Sequence, residues 1–247
     1  RWENLGALIT PAMKHAGAMF VPRVVYSARD SRFVMWFENY NTSGSVNGTK
    51  PEYSVAVAPT AAGPFVVVRD GPDNNANFTC GTAQGDFDLF TDDDGAHYVV
   101  VTHYSAFCVE RLDPGALGGT GDVALLPAMD PLIPGHPPGD EAPTLFKRGD
   151  RYYLLYASGC CGCKGGSITW VYTAPHPLGP WARQGAGPIT PGGPVTKAQQ
   201  RAVIRIPGKT AGPATFLHVG NNWVPGDGGE GTCTNGGVLY WWPLEFH

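Results

Sequence analysis

The chain has 247 residues and carries 17 Lys and Arg against 21 Asp and Glu, a formal net charge of −4. It lacks the clustered cations that phosphate neutralisation requires, which argues against a nucleic-acid partner. A hydrophobic content of 43% supplies one sizeable core and excludes disorder along the whole chain. Gly and Pro number 34 and 23 while charged residues make up 15%, so turns and strands are expected, not long Glu- and Lys-rich helices.

The first residues, Arg1-Trp2-Glu3-Asn4, lack the apolar core of a signal peptide, and no apolar run approaches the ~20 residues that cross a bilayer. A soluble mature chain with no membrane partner is expected. The stretch WENLGALITP reads as the last strand of a blade whose beginning is absent. Four segments then share one pattern of β-rich strand, short polar turn and second β-rich strand: residues 23–38, 86–104, 142–158 and 202–220. The polar turns are Arg29-Asp30-Ser31, Asp93-Asp94-Gly95 and Arg148-Gly149-Asp150, residues that let a chain reverse between strands. The aromatics opening the second strands, Phe33, Tyr98, Tyr153 and Phe216, recur 65, 55 and 63 residues apart, a period that suits the four strands of a propeller blade. Two repeats add a matching third strand and exit turn, SVAVAPTAAGPF at 54–65 and TWVYTAPHPLGPW at 169–181, offset by 116 residues. Second strands apolar on both faces, as in Val99-Val100-Val101 and Tyr153-Leu154-Leu155-Tyr156, are expected to lie between neighbouring sheets.

These elements predict an all-β fold, a five-bladed β-propeller with the first blade incomplete in this chain. The whole of 1–247 forms one domain: a remnant at 1–10, then blades at 17–70, 84–130, 140–190 and 196–247. Many short strands also suit a β-sandwich, the alternative fold. An incomplete blade exposes strand edges, so another segment or chain is expected to fill it.

Three N-x-S/T sequons stand at Asn41, Asn47 and Asn77. With six cysteines, Cys80, Cys108, Cys160, Cys161, Cys163 and Cys233, they favour a secreted, disulfide-bonded glycoprotein. Six cysteines allow fifteen full pairings, and the Gly-Cys-Cys-Gly-Cys cluster reads as disulfides in preference to zinc, which wants two spaced pairs or added histidines. The histidines at 15, 97, 103, 136, 176, 218 and 247 show no metal spacing and are read as structural. Trp36, Trp170, Trp241 and Trp242 are read as core.

The segment EAPTLFKRGDRYYLLYASGC followed by GPW, with GDFDLFTDDDGAHYVV and RVVYSARDSRFVMWF before it, resembles glycoside hydrolase family 43. These are five-bladed propellers that cleave arabinan, xylan and galactan. The exo-β-1,3-galactanase branch is the most similar, and the resemblance covers most of residues 2–247. It implies a glycosidase acting with inversion on β-1,3-galactan or a related galactose- or arabinose-containing polysaccharide.

By this resemblance Glu141 is the general acid and Asp86 the residue that tunes and orients it. A protonated carboxyl must meet the leaving oxygen, and a nearby negative charge keeps the proton in place. On the residues alone, Glu141 before Ala-Pro is a strand-end carboxylate. The family's usual base falls on a first-blade strand ahead of Arg1. In the galactanase branch a glutamine on a fourth-blade strand is its proposed substitute, and Gln199 and Gln200 fall there, either to orient water or to bind a sugar hydroxyl. Glu38 falls near a position that faces the sugar, although the local pattern lacks the usual histidine. The loop Gly220-Asn221-Asn222-Trp223 resembles the family's G-D-x-W segment with asparagine in place of the acid. Asn222 and Trp223 are therefore substrate-binding candidates, Trp223 by stacking. No motif implies a cofactor; a calcium or sodium ion in the central channel would follow the family habit and the acidic turn. From a different functional class, a propeller that binds glycan or builds extracellular matrix without turnover fits the missing base, since fold alone does not establish activity.

Overall fold

The structure is a computed structural model that describes residues 3–4, 6–9, 18–40, 52–69, 79–82, 85–103, 106–126, 140–158, 168–184, 198–208, 212–222 and 238–246. Within these, strands β1 (Ala18–Ser27), β2 (Arg32–Tyr40), β3 (Glu52–Ala58) and β4 (Val66–Arg69) make one sheet in that order. A second contains β5 (Phe87–Thr91), β6 (His97–His103), β7 (Ala106–Leu112) and β8 (Gly119–Leu125). The third is β9 (Asp140–Arg148), β10 (Arg151–Ser158), β11 (Ile168–Ala174) and β12 (Ala182–Arg183), and the fourth is β13 (Gln199–Ile206), β14 (Thr215–Asn222) and β15 (Val238–Pro243). Each sheet runs in chain order, the meander that short turns dictate. Residues 1–103 and 108–124 form one compact unit, and residues 104–107 with 125–247 form another.

Turn chemistry sets the hairpins. Ser31, Gly95 and Gly149 have left-handed φ of 51°, 83° and 62°, and the Gly95 amide closes its turn on the Asp92 carbonyl at 2.9 Å. The 116-residue repeat is structural as well: Gly63 and Gly179 have φ of 76° and 91°. Their amides bond to the carbonyls of Thr60 and His176. Phe65 and Trp181, two residues later, are both buried. Leu8 and Ile9, from the segment expected to end an earlier blade, meet this exit turn, where Phe65 N donates to Leu8 O at 2.9 Å and Ile9 makes a parallel bridge to Phe65.

In the first three sheets the second and third strands are mostly buried. In the first unit Val34, Trp36, Tyr53, Phe87, Val99 and Val101 form one core with Cys80 and Cys108. Those two cysteines are joined as a disulfide, which ties a short 3-10 turn at Thr79–Thr82 to β7. The buried Glu110 carboxylate fastens the same place, accepting from Cys80 N at 2.9 Å and Gly121 N at 3.0 Å. In the second unit Phe146, Leu155 and Phe216 pack with Tyr153, Val203 and Phe246. Two tryptophans read as core are not: Trp241 and Trp242 are 45% and 49% exposed, because β15 is the edge strand of a three-stranded sheet and an indole there gains cover on fewer sides. Trp36 and Trp170 are buried. Cys160, Cys161, Cys163, Cys233 and the sequons at Asn41, Asn47 and Asn77 lie outside the described residues.

Candidate active site

In the second unit, Glu141 lies near the start of β9, opposite Ala157. The next residue, Ala142, has a φ of 53°, and the register slips between Leu155 and Ala157. This is a β-bulge, a device that re-aims neighbouring side chains. Strand β13 packs against β9 and begins with the two candidate glutamines. Gln199 Nε2 donates to Glu141 Oε1 at 2.7 Å.

Gln200 is fully buried, and neither of its amide atoms has a hydrogen-bond partner among the described residues. It pairs with Gly220, and His218 stands two residues along the same face of β14. His218 is buried with both ring nitrogens unpartnered among the described residues, and burial pushes its pKa down to about 4. Gly220 suits this place, since a Cβ there would stand 2.8 Å from Ala198 Cβ.

On Glu141's other side, Asp140 pairs with Ser158. Burial raises its pKa, opposed by a hydrogen bond with Ser158 and by Arg183. The Arg183 guanidinium in turn lies 4.1 Å from the centre of the Trp170 ring. Sequence reasoning passed over Asp140 and read His218 only as structural: the pairing register shows where each stands.

In the first unit, Asp86 is half-buried at the entry to β5, following Gly85, whose φ is 138°. Its carbonyl accepts from Thr102 N and Thr102 Oγ1, both at 3.1 Å. Tyr53 Oη donates to Gly85 O at 2.7 Å. Two residues on, Asp88 holds Arg23 Nε at 2.8 Å, a cross-sheet ion pair that the sequence reading missed. Glu38 is 2% exposed and stands between Phe20 and Tyr53 in the register of β1, β2 and β3. Asp86 and Glu38 thus share one unit, and Glu141, Gln199 and Gln200 the other. Asn222 closes β14 opposite Val238, and Trp223 lies outside the described residues.

Among the described residues no three His, Cys, Asp or Glu side chains gather to hold a metal ion. The acidic turn is engaged with its own backbone: Asp92 Oδ1 accepts from Asp93 N at 2.8 Å and Asp94 Oδ1 from Ala96 N at 2.9 Å.

Strands that begin with a carboxylate and an amide in contact, on sheets that each meander in chain order, agree with what the sequence matches. The chain matches Glycosyl hydrolases family 43 over residues 9–238 and belongs to that family. No curated protein matches it in sequence. In structure it is similar to 1,3Gal43A, an exo-β-1,3-galactanase from Clostridium thermocellum, at 22% identity over 96% of this chain and 48% of that one, with a TM-score of 0.71. It is similar also to the exo-β-1,3-galactanase of Phanerochaete chrysosporium with β-1,3-galactotriose, at 20% identity over 97% and 50% and a TM-score of 0.70. A third is a family 43 β-1,3-galactosidase with galactodeoxynojirimycin, at 21% identity over 98% and 78%, TM-score 0.70. The chain spans about half the length of the first two. The fold is accordingly the all-β propeller of this family, the four sheets being four blades and a further blade incomplete in this chain.

Proposed function

We propose that this chain is the propeller of a secreted glycosidase that cleaves β-1,3-galactan, or a related galactose- or arabinose-containing polysaccharide, with inversion. The observation that carries the reading is the 2.7 Å bond from Gln199 Nε2 to Glu141 Oε1, in a chain that matches family 43 over residues 9–238. Glu141 protonates the leaving oxygen from Oε2 while Gln199 holds Oε1. Asp86 supplies the negative charge that keeps the proton on the acid until the glycosidic bond lengthens. One of the pair Gln199 and Gln200 orients the attacking water on the opposite face of the ring. Inversion calls for acid and water-holding group about 6.5–9.5 Å apart, so Gln199 takes the second role only by releasing Glu141 as the sugar enters. Glu38, Asn222 and Trp223 bind the sugar.

The neighbours' β-1,3-galactotriose and galactodeoxynojirimycin support a galactose-type substrate. The Cys80–Cys108 disulfide supports an oxidising, extracellular location. Sugar release from β-1,3-galactan, arabinogalactan and aryl glycosides of galactose, arabinose and xylose, with wild type beside Glu141→Gln, tests the reading. A non-catalytic glycan-binding propeller would release nothing and keep its affinity after the substitution.

A further inference from the structure

The reaction proposed above leaves one proton without a destination. An inverting glycosidase draws a proton from the attacking water while the acid gives one to the leaving oxygen, and a glutamine amide holds water without taking that proton. Strands β13, β14 and β15 read QQRAVIRI, TFLHVGNN and VLYWWP, with no carboxylate among them. The imidazole of His218 is their one neutral side chain that takes up a proton in the range enzymes use.

The register sets His218 on the surface that faces the acid. Leu155 of β10 and Phe216 of β14 meet in one core, so they mark the facing surfaces of the third and fourth sheets. Ala157 lies two residues beyond Leu155 and pairs with Glu141. His218 lies two residues beyond Phe216, and Gly220 two further. Because side chains alternate with a period of two, Glu141 stands on one of these surfaces and His218 and Gly220 on the other. Gln200 joins the second surface, since it pairs with Gly220. Packed sheets lie about 10 Å apart, the scale of the roughly 6.5–9.5 Å that inversion needs between acid and base.

Gly220 has no side chain, and the imidazole leans over it: a Cβ there would stand 3.4 Å from His218 Cε1. Cε1 lies between the two ring nitrogens, so the polar edge of the ring is turned toward the residue that pairs with Gln200. Both nitrogens of His218 and both amide atoms of Gln200 lack a hydrogen-bond partner among the described residues, although the side chains are buried. Buried polar atoms are ordinarily satisfied. Four of them on adjoining strands beside a glycine suit a small hydroxylic molecule, which donates to the imidazole or the amide oxygen and accepts from the amide N–H. Burial also keeps the ring neutral, with a pKa of about 4, in the range of the carboxylates that more commonly take this proton.

We propose that His218 is the base of the reaction, taking the proton of a water molecule held between its ring and the Gln200 amide. This rests on the glycosidase reading above. As the water oxygen bonds to the anomeric carbon, its proton passes to a ring nitrogen of His218. The glycosidic bond breaks, its electron pair goes to the leaving oxygen, and that oxygen takes the proton of Glu141. The imidazolium then loses its proton to solvent and the Glu141 carboxylate regains one, which restores both groups.

The test compares wild type, Glu141→Gln, His218→Asn and His218→Gln in the full chain, on β-1,3-galactan and on dinitrophenyl β-galactoside, with and without azide. Rates are taken per folded molecule, and the second histidine variant stands in if the first does not fold. Loss of the base is expected to lower kcat about a hundredfold or more on both substrates. Azide, a nucleophile with no proton to lose, restores the rate on the aryl galactoside and yields the α-galactosyl azide; a merely structural role gives no such rescue. A kcat within about threefold of wild type, a loss confined to galactan, or a loss that azide leaves in place overturns this inference. The glycosidase reading then stands on wild-type release of sugar and its loss in Glu141→Gln. A wild type that releases no sugar from either substrate overturns both.

Discussion

Replacing Gln199 by Leu removes its bond to Glu141 and little volume. The amide is 2% exposed and its Nε2 lies 2.7 Å from Glu141 Oε1. A hydrogen bond to a charged group contributes about 1.5–3 kcal/mol, and 1.36 kcal/mol of activation energy is a factor of ten. If the bond persists to the transition state, kcat on β-1,3-galactan falls about 10- to 100-fold. The substrate's leaving group then tells what the glutamine does. A dinitrophenyl galactoside departs without a proton, so a residue acting through the acid is spared there, and the loss shrinks to within about threefold. A residue that orients water is needed for both substrates, and the loss is then equal on each, with azide restoring rate on both. The assay is initial rates of the two variants on the two substrates. Unchanged kcat on galactan in Gln199→Leu, with Glu141→Gln inactive, would refute any role for this contact in the reaction.

Other consequences reach stability. The Cys80–Cys108 bond closes a loop of sequence separation 28, which by chain entropy corresponds to about 3.5 kcal/mol; a double Cys→Ala variant should lose roughly that in urea unfolding, and an unaltered midpoint would contradict it. His218 is neutral in the fold, its pKa held down to about 4 by burial, whereas the unfolded chain takes up a proton near pH 6.5. Stability is therefore full above pH 6.5 and lost as pH falls toward 4, by roughly 3 kcal/mol. In His218→Leu the urea midpoint should vary less over that window, and an identical pH slope would count against the reading. Gly220→Ala sets a Cβ 2.8 Å from Ala198 Cβ and 3.2 Å from the Gln199 carbonyl. Overpacking of this kind costs about 1–3 kcal/mol and should also slow turnover by shifting Gln199, seen as a lower melting temperature with reduced kcat.

The hairpins were legible because their signals are local: Asp-Gly turns, aromatics opening each second strand, and a Gly-Pro exit turn repeated at 63–65 and 179–181. The disulfide was legible only as one of fifteen pairings, since nothing short of the fold brings the turn at Thr79–Thr82 to β7. Glu141 and Gln199 were named through resemblance, yet their contact joins residues 58 apart from two sheets, and no pattern within either strand specifies it. Trp241 and Trp242 show the converse limit: residue type argues for burial, but cover depends on what lies beside an edge strand.

The central claim is that Glu141 donates a proton to a departing sugar. Galactose release from β-1,3-galactan by wild type and Glu141→Gln, measured side by side, tests it most directly. The account predicts release by wild type and a loss of about a hundredfold or more in the variant. Release by both at similar rates would contradict the assignment of the acid. No release by wild type from any of the galactans or aryl glycosides, with retention on a galactan column, would contradict the enzyme reading itself.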